Sequence, residues 1–317
     1  MKFQISKSKL FKSLSHLQGI VDKKNSLPIL SNILIEAKNS NLILSSTDMD
    51  ISIVDKLECN VLEEGSTTLN SQILYDIVRK IDENTNIEII SNNGKILTLR
   101  ASGSRFSLSC LPKEDFPIID KDSEGASIKI NSKVLFKLID KTKFAISNEE
   151  TRYFLNGLYF NIFEENNKTN VTLVGTDGHR LAKFSHSIDQ KTNKFSGVII
   201  PRKTINELSK LLSDIDKEIE ILISSSKIIF YIEDLVFISK LIDGTFPDYK
   251  RVIPNENDNI LEVNREKLLS AVDRVSTIAN EKSPVIKFKV LKDIINLNTI
   301  SNDNSTATED LTIEYSG

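Results

Sequence analysis

Hydrophobic residues recur at helical spacing in several short segments of this chain, and between those segments they alternate with polar residues. The first helical pattern carries Leu10, Leu14 and Leu17. Two later patterns have comparable spacing and consist of Leu135, Leu138 and Ile139, then Leu268, Val272 and Val275. Spacing of three or four residues places side chains on one face of a helix, whereas alternation predicts strands with one buried face. The chain is therefore predicted to pack helices on antiparallel sheet, which is an α+β fold.

The segment that opens these helices occurs three times. Residues 3–11, 128–136 and 261–269 each place an apolar strand before a polar residue and a helix. A period of roughly 130 residues is the size of a whole domain rather than of a solenoid repeat. Residues 68–78 and 199–208 open a second strand and helix halfway through the first two repeats. We therefore predict repeated domains, each built from two modules of strand, helix and three strands.

The repeats predict three domains, at residues 1–126, 127–258 and 259–317. The third segment has room for one module, so we expect a C-terminally truncated third domain. Ser6, Asn131 and Asn264 precede helices, where a short polar side chain can accept hydrogen bonds from free helix amides. Pro201 suits a first helical position because its missing N–H would be unpaired there. Apolar strands are predicted over residues 27–34, 153–160 and 285–290.

Composition and charge restrict the classes of function. No apolar run is long enough for a membrane span, and lysines interrupt the apolar residues of the N terminus, so we expect a cytoplasmic protein. Cys59 and Cys110 are expected to be buried or half-buried free thiols. The net charge is −3, yet residues 132–143 carry four lysines against Asp140. If all helices lie on one side, that side is a positive surface for a phosphate backbone. Alternatively, the lysines decorate ordinary exposed helix faces.

One cluster could carry catalysis, since Asp177, His179 and Arg180 could serve as acid, base and phosphate-holding group of a hydrolase or transferase. No second cluster, phosphate-binding loop or metal motif accompanies it. Asp48 and Asp50 could suggest a metal pair, but Asp48 occupies the same position in its repeat as Asp177, which favours a structural turn. We therefore expect no catalytic residues, no metal and no cofactor.

Six segments of the chain resemble, in order, the bacterial sliding clamp family, the beta subunits of DNA polymerase III. They are residues 27–30, 105–108, 152–157, 176–182, 200–203 and 243–252. The resemblance implies a DNA-clamp fold in a head-to-tail homodimer, a ring of six domains around duplex DNA. Basic helices would line the hole and antiparallel sheets would form the outer wall. It also implies a non-catalytic processivity factor that tethers the replicative polymerase, the clamp loader and repair polymerases through clamp-binding peptide motifs.

The resemblance also implies three functional surfaces. The DNA-contacting positions of the family correspond to Lys24, Tyr153, Phe154, Arg202 and Lys203. Its groove for motifs with Leu and Phe anchors corresponds to Arg152, Leu155, Thr176, Gly178, His179, Arg180, Leu181, Pro247, Arg251 and Val252. Its subunit seam corresponds to Arg105, Phe106 and Leu108 on one side and Thr277, Ile278, Glu309 and Asp310 on the other. The chain departs from the family pattern where it carries Gln72, Gly103 and Glu149.

Two other functions stay open from the sequence. One is the hydrolase or transferase that would use Asp177, His179 and Arg180. The other is a truncated clamp fragment that binds clamp-motif peptides without forming a ring around DNA. Retention on a closed circular plasmid, with release on linearisation, separates a ring from a surface binder.

Overall fold

The computed structural model describes residues 1–21, 27–117, 120, 124–165, 168–190, 197–254, 256–280 and 284–315, and they contain five modules of the predicted type. Module one comprises β1 (Lys2–Ser6), α1 (Lys7–Leu17), β2 (Asn32–Lys38), β3 (Asn41–Thr47) and β4 (Ile51–Glu58). Strand β5 (Asn60–Glu63) follows, and module two comprises β6 (Gly65–Asn70), α2 (Ser71–Lys80), β7 (Asn86–Ser91), β8 (Ile96–Ala101) and β9 (Ser104–Ser109).

The other three modules repeat this order. Module three comprises β10 (Ala126–Asn131), α3 (Ser132–Asp140), β11 (Gly157–Glu165), β12 (Lys168–Thr176) and β13 (Leu181–Ile188). Module four comprises β14 (Val198–Pro201), α4 (Arg202–Leu212), β15 (Glu218–Ile223), β16 (Lys227–Ile232) and β17 (Leu235–Lys240). Module five comprises β18 (Leu261–Glu262), α5 (Arg265–Ser276), β19 (Lys287–Leu291), β20 (Ile294–Ile300) and β21 (Thr306–Thr312), and β22 (Glu314–Tyr315) follows. The predicted α+β fold is confirmed.

Modules one to four pair by a single rule. The first strand of each module pairs antiparallel with the second strand of its neighbour, as β1 does with β7 and β6 with β2. The same exchange joins β10 to β15 and β14 to β11. The helices of the paired modules pack on each other, α1 on α2 and α3 on α4. Each pair of modules therefore has an approximate two-fold relation, with two helices packed on each other and against the strands.

The chain forms two compact units, Met1–Phe246 and Pro247–Gly317. In the first unit, β17 pairs antiparallel with β4, so that one eight-stranded sheet has the order β10-β15-β16-β17-β4-β3-β2-β6. Its other sheets have the orders β5-β1-β7-β8-β9 and β13-β12-β11-β14. The second unit contains the sheets β19-β20-β21 and β18-β22. Its small core consists of Ala271, Val275, Ile295, Leu297 and Ile313.

Three local predictions need correction. Asn131 and Asn264 accept hydrogen bonds from helix amides as predicted, but Ser6 does not, and its hydroxyl lies 3.4 Å from the Ser8 hydroxyl instead. Pro201 is the last residue of β14 rather than the first of a helix. The predicted strands over residues 27–34 and 153–160 begin as 3-10 helices, Pro28–Ser31 and Glu150–Leu155, and become strands at Asn32 and Gly157.

The two cysteines are half-buried free thiols, as predicted, and burial raises the pKa of both. Within the described residues, no helix is both long and apolar enough to cross a membrane.

Candidate functional site

The helices of the first compact unit form a continuous row. Besides the α1–α2 and α3–α4 contacts, the end of α1 lies against α4, because a Cβ placed on Gly19 would come within 1.8 Å of a Glu207 carboxylate oxygen. Lys203 on α4 reinforces this junction by pairing with Asp48 at 2.5 Å and donating to the Ile20 carbonyl at 3.4 Å. The order of helices is therefore α2, α1, α4, α3.

Many basic side chains are exposed on this row of helices. The exposed basic side chains of the helices and the turn after α3 are Lys9, Lys12, Arg79, Lys80, Lys133, Lys137, Lys141, Lys203 and Lys210. Several of these side chains form salt bridges: Lys133 pairs with Asp216 at 2.7 Å, and Lys210 pairs with Glu207 at 2.7 Å. Lys137 instead lies over the Phe184 ring at 5.6 Å. The surface is basic but not free of counter-charges.

Four of the five predicted DNA-contacting residues lie at the start of α4 and in the 3-10 helix beside it. The Arg202 amide donates to the Asn156 carbonyl at 3.0 Å, which joins the two segments. Tyr153 is exposed and packs edge-to-face on Phe154 with ring centroids 5.8 Å apart. Lys203 is the residue whose ammonium group pairs with Asp48. The fifth, Lys24, lies outside the described residues.

The turn between β12 and β13 contains three of the ten predicted groove residues, Gly178, His179 and Arg180, and is held by its own side chains. Asp177 accepts from the amides of His179 and Arg180 at 3.0 and 2.9 Å and from the Arg180 guanidinium at 3.0 Å. Partial burial raises the pKa of Asp177, but these hydrogen bonds together outweigh it and hold the pKa below its usual value. Thr176 donates to the Arg180 carbonyl at 2.7 Å. Asp177 therefore has a structural role.

Two arginines border this turn. Arg152 makes a bidentate pair with Glu149 at 2.6 and 2.8 Å, and its guanidinium lies against Gly178, where an added Cβ would come within 2.5 Å of it. Gly178 also has φ of +88°, which disfavours any side chain. Arg180 lies over the Phe144 ring at 5.9 Å. Phe144 is 58% exposed. It was not predicted from the sequence, where it is only one apolar residue in a lysine-rich segment.

The remaining groove residues divide between core and surface. Leu155 is 3% exposed, so its side chain belongs to the core of the first compact unit. Leu181 is half-buried at the start of β13. Pro247, Arg251 and Val252 belong to the second compact unit, where Arg251 pairs with Asp248 at 2.9 Å and Val252 is exposed.

One side of the predicted seam lies on β9, an edge strand of its sheet. Phe106 and Leu108 are half-buried and Arg105 is exposed. Phe106 lines a surface groove of about 390 Å³ together with Ile73, Ile77 and Asp76 of α2. Lys80 and Asp82 also line the groove, which therefore combines apolar side chains with charged groups of both signs.

The other side of the predicted seam lies on β21, also an edge strand, and on the residues after α5. Glu309 accepts a bidentate pair from Arg274 at 2.5 and 3.1 Å, which lowers the pKa of Glu309. Asp310 accepts from the Asn296 amide at 2.6 Å. Thr277 is exposed and Ile278 is half-buried just beyond the helix.

Strands β9 and β21 occupy the same positions in their modules as two strands that pair inside the chain. Strand β9 is the last strand of module two, as β17 is of module four, and β21 is the last of module five, as β4 is of module one. The Nδ1 atom of His16 on α1 lies 3.5 Å from an Asp55 carboxylate oxygen on β4, at the positions where α5 and β21 carry the Arg274–Glu309 ion pair.

Family models match almost the whole chain. The N-terminal, central and C-terminal domains of the DNA polymerase III beta subunit match residues 1–120, 129–248 and 250–317. The beta sliding clamps of Caulobacter vibrioides and Escherichia coli are 39% and 34% identical to this chain, covering all of it and 86% and 85% of their own lengths. A solved sliding clamp from Bartonella birtlesii bound to griselimycin is 40% identical with a TM-score of 0.95, covering the whole chain and 85% of its own. A griselimycin-bound clamp from Pseudomonas aeruginosa is 32% identical with a TM-score of 0.93 and the same coverage.

Proposed function

This chain belongs to the beta sliding clamp family of DNA polymerase III, and on that premise we propose that two copies close head to tail into a ring around duplex DNA. The ring tethers the replicative polymerase and thereby gives processive synthesis, without catalysis of its own. The catalytic alternative finds no support in Asp177, whose oxygens are occupied by the turn that it shapes. The place of action is the cytoplasm.

The observation that carries this proposal is the antiparallel pairing of β17 with β4 inside the chain. This pairing shows how the first pair of modules joins the second pair within one chain. Strands β9 and β21 hold the equivalent positions, and among the residues that the structure describes each is an edge strand with one unpaired side. A second copy offers β21 to β9 of the first, and the first offers its own β21 in return, which closes a ring with two identical seams.

The internal junction also gives the register of the seam. Phe237 lies opposite Ile53 at that junction. Matching the hairpins β8–β9 to β16–β17, and β20–β21 to β3–β4, converts this pair into Phe106 opposite Ala307 of the second copy. The same register sets Arg105 opposite Thr308 and diagonal to Asp310, within reach of a long side chain. Two of the predicted seam residues, Arg105 and Asp310, then come within reach of each other.

The groove beside Phe106 has an equivalent occupant at the internal junction. Ile20 is fully buried there. It lies fourteen residues after Ser6, the residue that precedes α1. Counting from Asn264, which precedes α5, the equivalent residue is Ile278. We assign Ile278 of the second copy to the groove of Ile73, Ile77 and Phe106. Thr277 corresponds to Gly19 and therefore comes close to Asp76, which corresponds to Glu207.

DNA binding is assigned to the exposed face of the helix row. Lysines on separate helices give weak phosphate contacts that do not read sequence, which suits a ring that slides. Arg202, Tyr153 and Phe154 belong to the same surface. Lys203 contributes less than the others because its ammonium is already paired with Asp48.

Partner proteins are assigned to the surface around the β12–β13 turn. Exposed Phe144, half-buried Leu181 and the two arginines that border the turn combine apolar area with polar groups, as peptide-binding pockets do. The polymerase, the clamp loader and repair polymerases would insert motifs with Leu and Phe anchors here.

A disulfide across the seam tests the register. The pair Phe237–Ile53 is a non-hydrogen-bonded pair, because the flanking Lys240–Asp50 and Lys56–Asp234 amide bonds fix the alternation. Such pairs bring Cα atoms about 4.5 Å apart, within disulfide range. The test variant carries Phe106→Cys and Ala307→Cys, and its native cysteines, Cys59 and Cys110, are replaced by serine. On oxidation it should form a covalent dimer.

The matched control is Phe106→Cys with Thr308→Cys, since Thr308 lies one residue away and points to the opposite face of the sheet. This control should remain monomeric on denaturing gels. Cross-linking in both variants, or in neither, contradicts the proposed seam. A chain that binds clamp-motif peptides but never cross-links would be a peptide-binding fragment without a ring.

A further inference from the structure

Arg152 connects the surface around the β12–β13 turn to a position where the chain departs from the family pattern. It lies in the 3-10 helix Glu150–Leu155, at a point where the backbone leaves helical geometry with φ of −108° and ψ of 53°. Its side chain reaches back to Glu149, which directly precedes this helix and is one of those departures. The Glu149–Arg152 pair therefore lies at the border of the surface assigned to partner proteins.

Both edges of the Arg152 guanidinium are occupied. Its Nε and Nη2 atoms donate to the two Glu149 carboxylate oxygens at 2.8 and 2.6 Å. Its Nη1 atom faces the turn, since a Cβ built on Gly178 would come within 2.5 Å of it. Arginine binds a carboxylate through two adjacent N–H groups. Because the turn shields the edge at Nη1, a carboxylate from another molecule would bind Arg152 by taking the place of Glu149.

The two acidic side chains at this surface differ in how firmly they are held. Asp177 accepts from two backbone amides as well as from Arg180, and its side chain is 23% exposed. The Glu149 side chain is 52% exposed, and its hydrogen bonds to Arg152 hold the pKa of Glu149 below the ordinary value. Exposed ion pairs contribute little to stability. Asp177 is therefore fixed by the turn, whereas Glu149 can exchange with another carboxylate at little cost.

We propose that Glu149 determines the specificity of this surface, because it neutralises Arg152 and so removes a preference for partner motifs that carry an acidic residue beside their anchors. An acidic motif has to displace Glu149 in order to pair with Arg152, whereas a neutral motif leaves the Glu149–Arg152 pair intact. Specificity of this kind arises from a cost imposed on one class of partner. The inference rests on the assignment of partner binding to the surface around the β12–β13 turn.

Glu149 also balances the charge of the surface. Arg152 and Arg180 carry two positive charges, and Glu149 and Asp177 carry two negative charges. Replacing Glu149 with glutamine leaves one positive charge in excess, on the guanidinium that borders the turn. The Glu149→Gln variant should therefore bind acidic motifs more tightly and neutral motifs with unchanged affinity.

Peptide titrations with the full chain test this proposal. The probes are peptides with Leu and Phe anchors in which one non-anchor position at a time carries aspartate or asparagine, and fluorescence anisotropy gives their dissociation constants. In Glu149→Gln, the affinity for aspartate peptides relative to their asparagine counterparts should rise about fivefold at the positions that reach Arg152. Adding Arg152→Gln should abolish this gain, because the guanidinium is then absent. Glu150→Gln is the matched control, since it removes the same charge from the exposed neighbouring residue and should leave the ratio unchanged.

A second measurement follows Glu149 itself. Carboxyl NMR titration of the unsubstituted chain should show that a bound aspartate peptide raises the pKa of Glu149 toward the ordinary glutamate value, because Arg152 has changed partner. The asparagine peptide should leave this pKa lowered. A pKa of Glu149 that stays lowered with every aspartate peptide would contradict the exchange.

The outcomes separate this inference from the partner surface on which it rests. Equal changes for aspartate and asparagine peptides in Glu149→Gln, or an equal gain in Glu150→Gln, would overturn the role of Glu149 and leave the partner surface in place. A gain in duplex DNA binding without a change in peptide preference would assign Arg152 to DNA and would also overturn the proposal. If the unsubstituted chain binds neither series of peptides, the partner surface itself is wrong, and the role of Glu149 fails with it.

Discussion

Truncating Ile278 to alanine should weaken the head-to-tail dimer far more than a single surface substitution normally does. Ile278 is half-buried in one copy, and its equivalent Ile20 is fully buried at the internal junction. Removing a large aliphatic side chain from such an environment costs about 2 kcal/mol at the low end of the usual range. The low end applies because Ile278 is already partly covered before association.

A ring has two identical seams, so the loss counts twice and amounts to about 4 kcal/mol per dimer. At 1.4 kcal/mol per factor of ten, the dissociation constant should rise by nearly three orders of magnitude. Sedimentation velocity across a dilution series measures this constant.

Ile300→Ala is the control for this prediction. Ile300 is in the same compact unit and is 64% exposed at the end of β20, on the sheet face away from α5. It should leave the dissociation constant within about twofold. If Ile278→Ala dimerises as tightly as Ile300→Ala, the assignment of Ile278 to the groove beside Phe106 is wrong.

Three further variants test the other surfaces. Lys137→Ala should reduce the salt dependence of DNA binding by about 0.9 in the logarithmic slope, as expected for one lost phosphate contact, in fluorescence anisotropy titrations. Lys203→Ala should lower the free energy of unfolding by about 1 kcal/mol, measured with urea, because it leaves the largely buried Asp48 without its cation. Arg180→Ala should raise the pKa of Asp177 toward the ordinary aspartate value, measured by carboxyl NMR titration, and weaken the binding of Leu–Phe motif peptides.

Each of these has an outcome that would count against it. An unchanged salt slope would place Lys137 away from DNA. A Lys203→Ala variant as stable as the parent would mean that Asp48 remains solvated. Because the folded-state pKa of Asp177 is lowered, its charge stabilises the fold above the ordinary aspartate pKa, and this stability is lost as pH falls through the folded value. The acid dependence of unfolding should therefore be shallower in Arg180→Ala, and a steeper one would contradict the turn's electrostatics.

Patterns that repeat within the sequence predicted the modules well. Asn131 and Asn264 directly precede their helices, and each short side chain accepts from helix amides, which a local pattern can predict. Ser6 obeys the same pattern, but its hydroxyl accepts from no helix amide and lies 3.4 Å from the Ser8 hydroxyl. The sequence pattern does not distinguish this rotamer from a capping one.

The surfaces were harder to predict than the modules, because they depend on contacts between distant segments. The Lys203–Asp48 pair joins residues 155 positions apart, so the sequence alone assigned Lys203 to DNA without its counter-charge. Phe144 was missed for the same reason, since only the folded turn brings Arg180 over its ring. Leu155 matched the family's groove pattern, yet its side chain is used in the core.

Topological capture of DNA tests the ring most directly. The Phe106→Cys, Ala307→Cys chain is mixed with a closed circular plasmid, oxidised, and separated by gel filtration in about 1 M salt, where phosphate contacts are screened. We predict that the cross-linked dimer elutes with the circular plasmid and is released when a restriction enzyme linearises it. Cross-linked protein that elutes free of the circle, or that stays on the linear DNA, would contradict encirclement.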